Sequence, residues 1–413
     1  MKTIKSISLN FCSGLSLKIL IKFLNKLVTG DGFILQSHNN KSYCIGKNTN
    51  KKSLKLIIKK KNLYFKFLLC PGLYFGEAYV KGDAEINNGN LSDFLKIILS
   101  NVGKKNSVFH EKIFTKLSYI ARKIIRKNNI LNSKNNVALH YDISDNLYKL
   151  FLDSKMQYSC AYFKNSNDSL EIAQHNKINH IIKKLNIDSD CSVLDIGSGW
   201  GGLSIQIAKE SGARVCGITL SENQLEYSRD KAKTEGLDHL VTFKLTDYRD
   251  IKSKYDRIVS VGMFEHVGKD YYNIFFKKIN SLLNEDGFAL IHTIGSLNPP
   301  KPIEPWINKY IFPGACIPTI SEISPYIENS RLDLCDLEVW RTHYAKTLSK
   351  WKNNFLSHKN EVTTMFNEEF MRMWEYYLTS CQYTFIYNSR VVFQILLSKK
   401  MTSVPITRDY MYK

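Results

Sequence analysis

Three observations predict an α/β chain: a doubly wound parallel sheet with helical additions, preceded by a smaller basic domain. Five short apolar runs between residues 192 and 293 ("SVLDIG", "ARVCGIT", "VTFKL", "DRIVSVG", "GFALIHT") alternate with helix-length segments. The first run leads straight into a glycine-rich turn. The fourth ends in a carboxylate and an imidazole, Glu265 and His266. Such alternation is the pattern of parallel strands covered by helices on both faces. Open sheets of this kind bind ligands beyond the carboxyl ends of their strands, so ionisable groups at a strand end are candidates for chemistry.

The elements follow in chain order. At 413 residues, two domains are expected. Residues 1–100 mix strand-like runs ("SLKLIIKK", "LYFKFLL") with a glycine-containing segment and a helical pattern after Leu91. Within the first 28 residues, Lys18, Lys22 and Lys26 share one face of a possible helix, and Leu17, Leu20, Ile21, Leu24 and Val28 share the other. Such a helix suits a membrane surface, or equally the half-buried edge of an ordinary domain. The same lysines interrupt the apolar stretch, and no small-residue cleavage site follows, so a signal peptide is not expected. No uncharged apolar run reaches 18 residues, which argues against a membrane-spanning helix. Residues 101–139 read as a basic linker with one exposed helix, and 140–413 as the second domain, with 351–400 mostly helical and aromatic.

Charge is unevenly placed. Residues 1–134 hold 25 Lys and Arg against 6 Asp and Glu, a net of +19, while the remainder is nearly neutral. A basic end seeks a polyanion, either nucleic acid or an anionic membrane. Nucleic-acid binding would call for stacking aromatics among the basic residues, and 101–139 hold only Phe109, Phe114 and Tyr119. Heavy use of Lys and Asn throughout is a competing, compositional explanation. Nine scattered cysteines without a Cys-x-x-Cys pair argue against a disulfide framework or structural zinc and for a reducing cytoplasm. No metal is expected.

The turn "VLDIGSGWGG" carries Gly197, Gly199, Gly201 and Gly202 directly after a strand. Dehydrogenases share glycine-rich turns of this type. Asp195, an acid ahead of the first glycine, favours a methyltransferase using S-adenosylmethionine, whose cofactor brings no pyrophosphate to cradle. The second strand ends "GITLSENQ", with Thr219 and Leu220 where an acid for the ribose would stand. Gln224 can supply both donor and acceptor to a diol.

Taken together, "HYDISDNLYKLFLD" (140–153), "MQYSCAYF" (156–163), "VLDIGSGWGG" (193–202), "GITLSENQ" (217–224), "DYRD" (247–250), "DRIVSVGMFEHVG" (256–268), "LIHTIGS" (290–296) and "PWINKYIFPG" (305–314) resemble the bacterial cyclopropane-fatty-acyl-phospholipid synthase family, related to the mycolic acid cyclopropane synthases. The likeness runs almost continuously from 140 to 314, continues in "HYAKTL" and "YYLTSC", and is loose before residue 100. Two departures stand out: Ser198 replaces the family's cysteine in the glycine turn, and Ser144 replaces a glycine.

The resemblance implies a class I S-adenosylmethionine-dependent methyltransferase fold. It implies methylene transfer to the cis double bond of an unsaturated phospholipid acyl chain, with helices walling an acyl tunnel. A bound bicarbonate would act as base, held by Cys160, Glu265, His292, Tyr344 and the Ile294 backbone. Tyr158, Ser159, Asp195, Gly197, Gly199, Thr219, Leu220, Gln224, Asp247 and Tyr248 would contact the cofactor, and Tyr162 would face the cation. Cys381 matches a family cysteine suspected of catalysis, although a thiol adds nothing obvious to this chemistry. His266 competes as base, with a positioning part favoured. A homodimer associated peripherally with the inner face of the membrane, and no nucleic acid, complete the expectation. Methyl or methylene branching of the same alkene, and a lipid-binding protein without catalysis, are the alternatives.

Overall fold

The computed structural model describes residues 13–47, 49–50, 52–102 and 145–412. The expected linker at 103–139 and the opening of the "HYDISD" motif, with Ser144, lie outside the described residues. The chain divides into two compact units. The first comprises Met1–Ile130, Glu304–Lys309 and Asn360–Tyr383; the second comprises Leu131–Ile303, Tyr310–Lys359 and Thr384–Lys413. Residues 304–309 and 360–383, which the sequence assigns to the second domain, therefore cluster with the first. Hydrogen bonds from Tyr79 Oη to Glu375 (2.9 Å), from Arg372 Nε to the Val80 carbonyl (2.7 Å) and from Tyr376 Oη to the Gly72 carbonyl (3.2 Å) tie them there. Trp306 also packs edge-on against Tyr376 at 4.6 Å.

The first unit opens with the helix Ser13–Leu27, whose Leu17 and Leu20 are buried while Lys18, Lys22 and Lys26 are exposed, the amphipathic division expected. A four-stranded sheet follows, in the order β2-β1-β3-β4, from β1 (Phe33–Gln36), β2 (Ser42–Ile45), β3 (Lys55–Ile58) and β4 (Ala84–Asn87). The run "LYFKFLL" is a helix, Leu63–Leu69, and not a strand. Its buried Leu63 and Phe67 lie four apart, one helical turn, and Pro71 then begins the next helix, Pro71–Val80.

The second unit is built on a seven-stranded sheet. Its strands are β5 (Ser192–Ile196), β6 (Arg214–Thr219), β7 (Val241–Leu245), β8 (Tyr255–Val261), β9 (Leu283–Ser296), β10 (Asp333–Trp340) and β11 (Arg390–Ser398). The order is β10-β11-β9-β8-β5-β6-β7. The five expected strands all form and pair in parallel, and β11 enters antiparallel between β9 and β10. The expectation that 351–400 is mostly helical holds for His343–Ser357, Lys359–Met365 and Glu368–Tyr387 but fails at β11. Buried on both faces, that strand reads as an apolar run broken by Gln394 alone. Strand order reverses between β5 and β8, so the crevice for a ligand opens at their carboxyl ends.

Candidate active site

The turn after β5 is shaped by its glycines. Gly199 has φ +55°, and a Cβ added there would meet nothing within 4 Å, so this side of the turn is open to a ligand. Gly202 is different: an added Cβ would lie 2.1 Å from the Lys155 carbonyl, because residues 155–157 cross directly over the start of helix Gly202–Ser211. Asp195 is fully buried and accepts from Ser204 Oγ at 2.7 Å. Burial pushes its carboxyl up to about 6, against the opposing effects of that hydrogen bond and of Lys177. After β6, Thr219 Oγ1 donates to Gln224 Oε1 at 2.9 Å, and Leu220 presents an exposed apolar side chain. Asp247 caps a short 3-10 turn and holds Arg249 through both of its carboxylate oxygens, at 2.8 and 2.7 Å. Tyr248 packs edge-on to Phe275. The Ser198 hydroxyl is buried without a partner among the described residues. An open glycine turn with buried polar groups around it fits a cofactor such as S-adenosylmethionine.

A strap of residues 153–163 crosses this turn and is tied to helix Leu170–Lys184. Gln174 Nε2 donates to the carbonyls of Gln157 (3.1 Å) and Ser159 (3.0 Å). Lys177, fully buried, donates to Gln157 Oε1 and to Ser159 Oγ, the latter at 2.9 Å. Burial pulls its ammonium down to about 8, while Asp153, Cys160 and Asp195 favour its charge. The far end of the strap is fastened by Ala161 N–H to Thr347 Oγ1 and Phe163 N–H to His343 Nδ1, both at 3.0 Å. Cys160 is buried, and burial pushes its thiol well up, so it stays protonated. Tyr158 lies 5.2 Å from Trp351, and Tyr344 meets the same ring edge-on at 5.8 Å. Tyr162 stacks between His180 (4.8 Å) and His343 (4.9 Å).

The turn beyond β8 and the facing stretch of β9, which runs four residues past His292, supply the ionisable centre. Glu265 sits on a 3-10 turn just beyond β8, with Oε1 accepting the Ile294 amide hydrogen at 2.6 Å. The Ile294 N–H is thus engaged by Glu265. His292 pairs in register with Val261 across β8 and β9, two residues before Ile294 on the same strand face. It is buried with Trp340 edge-on at 5.1 Å, and its imidazole is held neutral by desolvation. Among the described residues, Glu265 Oε2 and His292 Nε2 have no hydrogen-bond partner. Burial pushes Glu265 up to about 7. His266, pulled down to about 4 by burial, lies edge-on to Phe312. Cys381, half-buried on helix Glu368–Tyr387, belongs to the first unit, whereas this cluster is built from the second.

Sequence reasoning missed Gln174, Lys177 and Gln394. Lys177 is the group whose charge is felt by Asp195, Cys160 and His292 alike. Gln394 was marked as a polar residue inside an otherwise apolar strand, whereas Gln174 and Lys177 share a buried helix face with Asn176, His180 and Lys184 and carried no such mark.

The model of the mycolic acid cyclopropane synthetase family matches residues 129–395. The Escherichia coli (strain K12) cyclopropane-fatty-acyl-phospholipid synthase is 37% identical over 341 residues, 81% of this chain and 86% of that one. A Pseudomonas putida protein named a probable fatty acid methyltransferase is also 37% identical, over 288 residues, 67% of this chain and 73% of that one. The crystal structure of the mycolic acid cyclopropane synthase CmaA1 complexed with SAH and CTAB superposes with a TM-score of 0.61 at 31% identity, covering 64% of this chain and 97% of that one.

Proposed function

Because this chain belongs to the mycolic acid cyclopropane synthetase family, and is thereby an S-adenosylmethionine-dependent methyltransferase, we propose that it converts the cis double bond of unsaturated phospholipid acyl chains into a cyclopropane ring, with bound bicarbonate as the base. The observation that carries the base is the pair of buried polar atoms left unpartnered among the described residues, Glu265 Oε2 just beyond β8 and His292 Nε2 within β9 opposite the last residue of β8. Buried polar atoms are normally satisfied, so the pair calls for a ligand that both donates and accepts. Bicarbonate carries one O–H and two further oxygens and meets both requirements.

The residues then divide the work. S-adenosylmethionine supplies an electrophilic methyl group, and bicarbonate would supply the base. Asp195, Gly197, Gly199, Thr219 and Gln224 line the turn and strand ends that hold the cofactor. The strap keeps Tyr158, Ser159 and Cys160 in place over them. The cation formed on the acyl chain must lose a proton from its new methyl group before the ring closes, and water would trap it. Burial of Cys160, Glu265 and His292 keeps water out, while Glu265 accepts the hydrogen of the base and strengthens it. The aromatic faces around the site stabilise positive charge without reacting with it.

Access to the lipid would come from the first unit. Lys18, Lys22 and Lys26 are exposed on helix Ser13–Leu27 beside exposed Leu15 and Ile19, a pattern suited to an anionic membrane surface. Among the described residues no helix is long and apolar enough to cross a membrane. A branched methyl product is the second reading; the Pseudomonas putida relative is named only a probable fatty acid methyltransferase.

The purified protein with methyl-labelled S-adenosylmethionine should transfer label to vesicles of cis-monounsaturated phospholipid and not to saturated ones. Equal labelling of both, or of neither, overturns the substrate.

A further inference from the structure

Gln394 stands in the middle of β11, flanked by buried Val391, Val392, Phe393, Ile395, Leu396 and Leu397. It is the cross-strand partner of His292 on β9. Both side chains are buried, and Gln394 Nε2 lies 3.2 Å from His292 Nδ1. Gln394 Oε1 has no partner among the described residues, nor has His292 Nε2. An amide set into an apolar strand, with one end unsatisfied, is costly to keep. The bond it makes is therefore the reason to look for a role.

A neutral imidazole has one N–H and one bare nitrogen, and the bond made by the first decides the second. An amide NH2 can only donate, so Nδ1 accepts and the ring proton resides on Nε2. Trp340 meets the ring edge-on at 87° and fixes its plane. The titratable groups facing it are Lys177, His180 and Lys184 from helix Leu170–Lys184, and Glu338 from β10. His180 and Lys184 are themselves bonded to Glu338.

We infer that Gln394 is the positioning residue that fixes His292 as its Nε2–H tautomer, so that His292 offers the pocket a hydrogen-bond donor and not a base. The inference rests on the proposed function in one respect: the donor is useful because the pocket holds an oxygen-rich anion. It also removes His292 as acceptor of the reaction's proton and leaves that part to the bound base beside Glu265.

The test reads the tautomer directly. Long-range proton–nitrogen correlation NMR on the full chain, with histidines labelled with nitrogen-15, gives the protonation of each ring nitrogen, and His292→Gln identifies the signal. Wild type should show a neutral ring with the proton on Nε2 at pH 7. Gln394→Leu, close in shape and without the amide, should show mixed tautomers and a kcat lowered about tenfold, with the KM for S-adenosylmethionine unchanged. Gln394→Glu, if it folds, should move the proton to Nδ1 and displace the pH profile. A wild-type ring protonated on Nδ1, or a Gln394→Leu protein with unchanged tautomer and kcat, overturns the inference. Because the tautomer is read without substrate, an inactive wild type would count against the proposed reaction and leave this result standing.

Discussion

Glu265 Oε1 accepts the Ile294 amide hydrogen at 2.6 Å, which leaves Oε2 as the carboxylate oxygen without a partner among the described residues. The strand end thus anchors the side chain with one oxygen and keeps the other for a ligand. Glu265→Gln preserves the anchoring bond and the shape but loses the charge. Turnover should fall about 10²-fold or more, the scale of lost general-base assistance, with little change in S-adenosylmethionine affinity. Near wild-type turnover would remove Glu265 from the chemistry.

The same group gives a pH signature. Burial raises Glu265 from 4.5 to about 7, so the folded protein binds its proton more tightly than the unfolded chain does. Between those values the native state holds more protons, and stability therefore falls as pH rises through the window. Glu265→Gln should accordingly stabilise the fold above pH 7 by a few kcal/mol, since each tenfold gain in proton affinity on folding is worth about 1.4 kcal/mol, and should change little below pH 4. Activity should move the opposite way, since the carboxylate is the useful form: kcat/KM should drop tenfold for each pH step of one below about pH 7. Urea melts and rate profiles from pH 4 to 8 measure both. A flat Glu265→Gln stability difference would contradict the buried, proton-binding carboxylate.

Lys177 holds the strap to its helix through Gln157 and Ser159. Lys177→Met retains the length of the side chain but leaves those acceptors, and nearby Asp195, without their cation. We expect a loss of about 2–4 kcal/mol in stability, because a buried charged hydrogen-bonding centre is removed from one side only. S-adenosylmethionine affinity, read by titration calorimetry, should weaken about tenfold. Unchanged affinity in a folded variant would mean that the strap does not shape the cofactor site.

The sheet was legible because parallel strands buried on both faces appear as apolar runs punctuated by glycine, as β5, β6 and β8 do. Glu265 was legible because a carboxylate ended such a run. β11 was not: its apolar run follows an aromatic helix after only Asn388 and Ser389, and the strand formers Val391, Val392, Phe393 and Ile395 were its mark. Lys177 and Lys184 were not legible, because a lysine is almost never fully buried unless paired. Their spacing with Gln174 and Ile181 puts them on the buried stripe, a three-dimensional fact that composition conceals. The chain's return of 360–383 to the first unit left no local mark either.

The basic helix Ser13–Leu27 should govern membrane binding separately from the chemistry. Each clustered lysine contributes roughly 1 kcal/mol near an anionic surface. Replacing Lys18, Lys22 and Lys26 with Gln should weaken binding to anionic vesicles by up to about 10²-fold. S-adenosylmethionine affinity should stay unchanged, since the turn after β5 belongs to the second unit. Vesicle sedimentation at low and high salt reads the effect. Equal wild-type binding to neutral and anionic vesicles would leave the +19 asymmetry to composition.

The identity of the product is the most direct test of the proposed reaction. Purified protein, S-adenosylmethionine and cis-monounsaturated phospholipid vesicles are incubated, and the extracted lipid is analysed by proton NMR. Ring formation predicts loss of the olefinic signal together with new cyclopropane resonances upfield of all other lipid protons. A methyl doublet or an exocyclic methylene signal, with no upfield resonance, would contradict it: Glu265 and His292 would then serve a methyltransferase that resolves the cation into a branch.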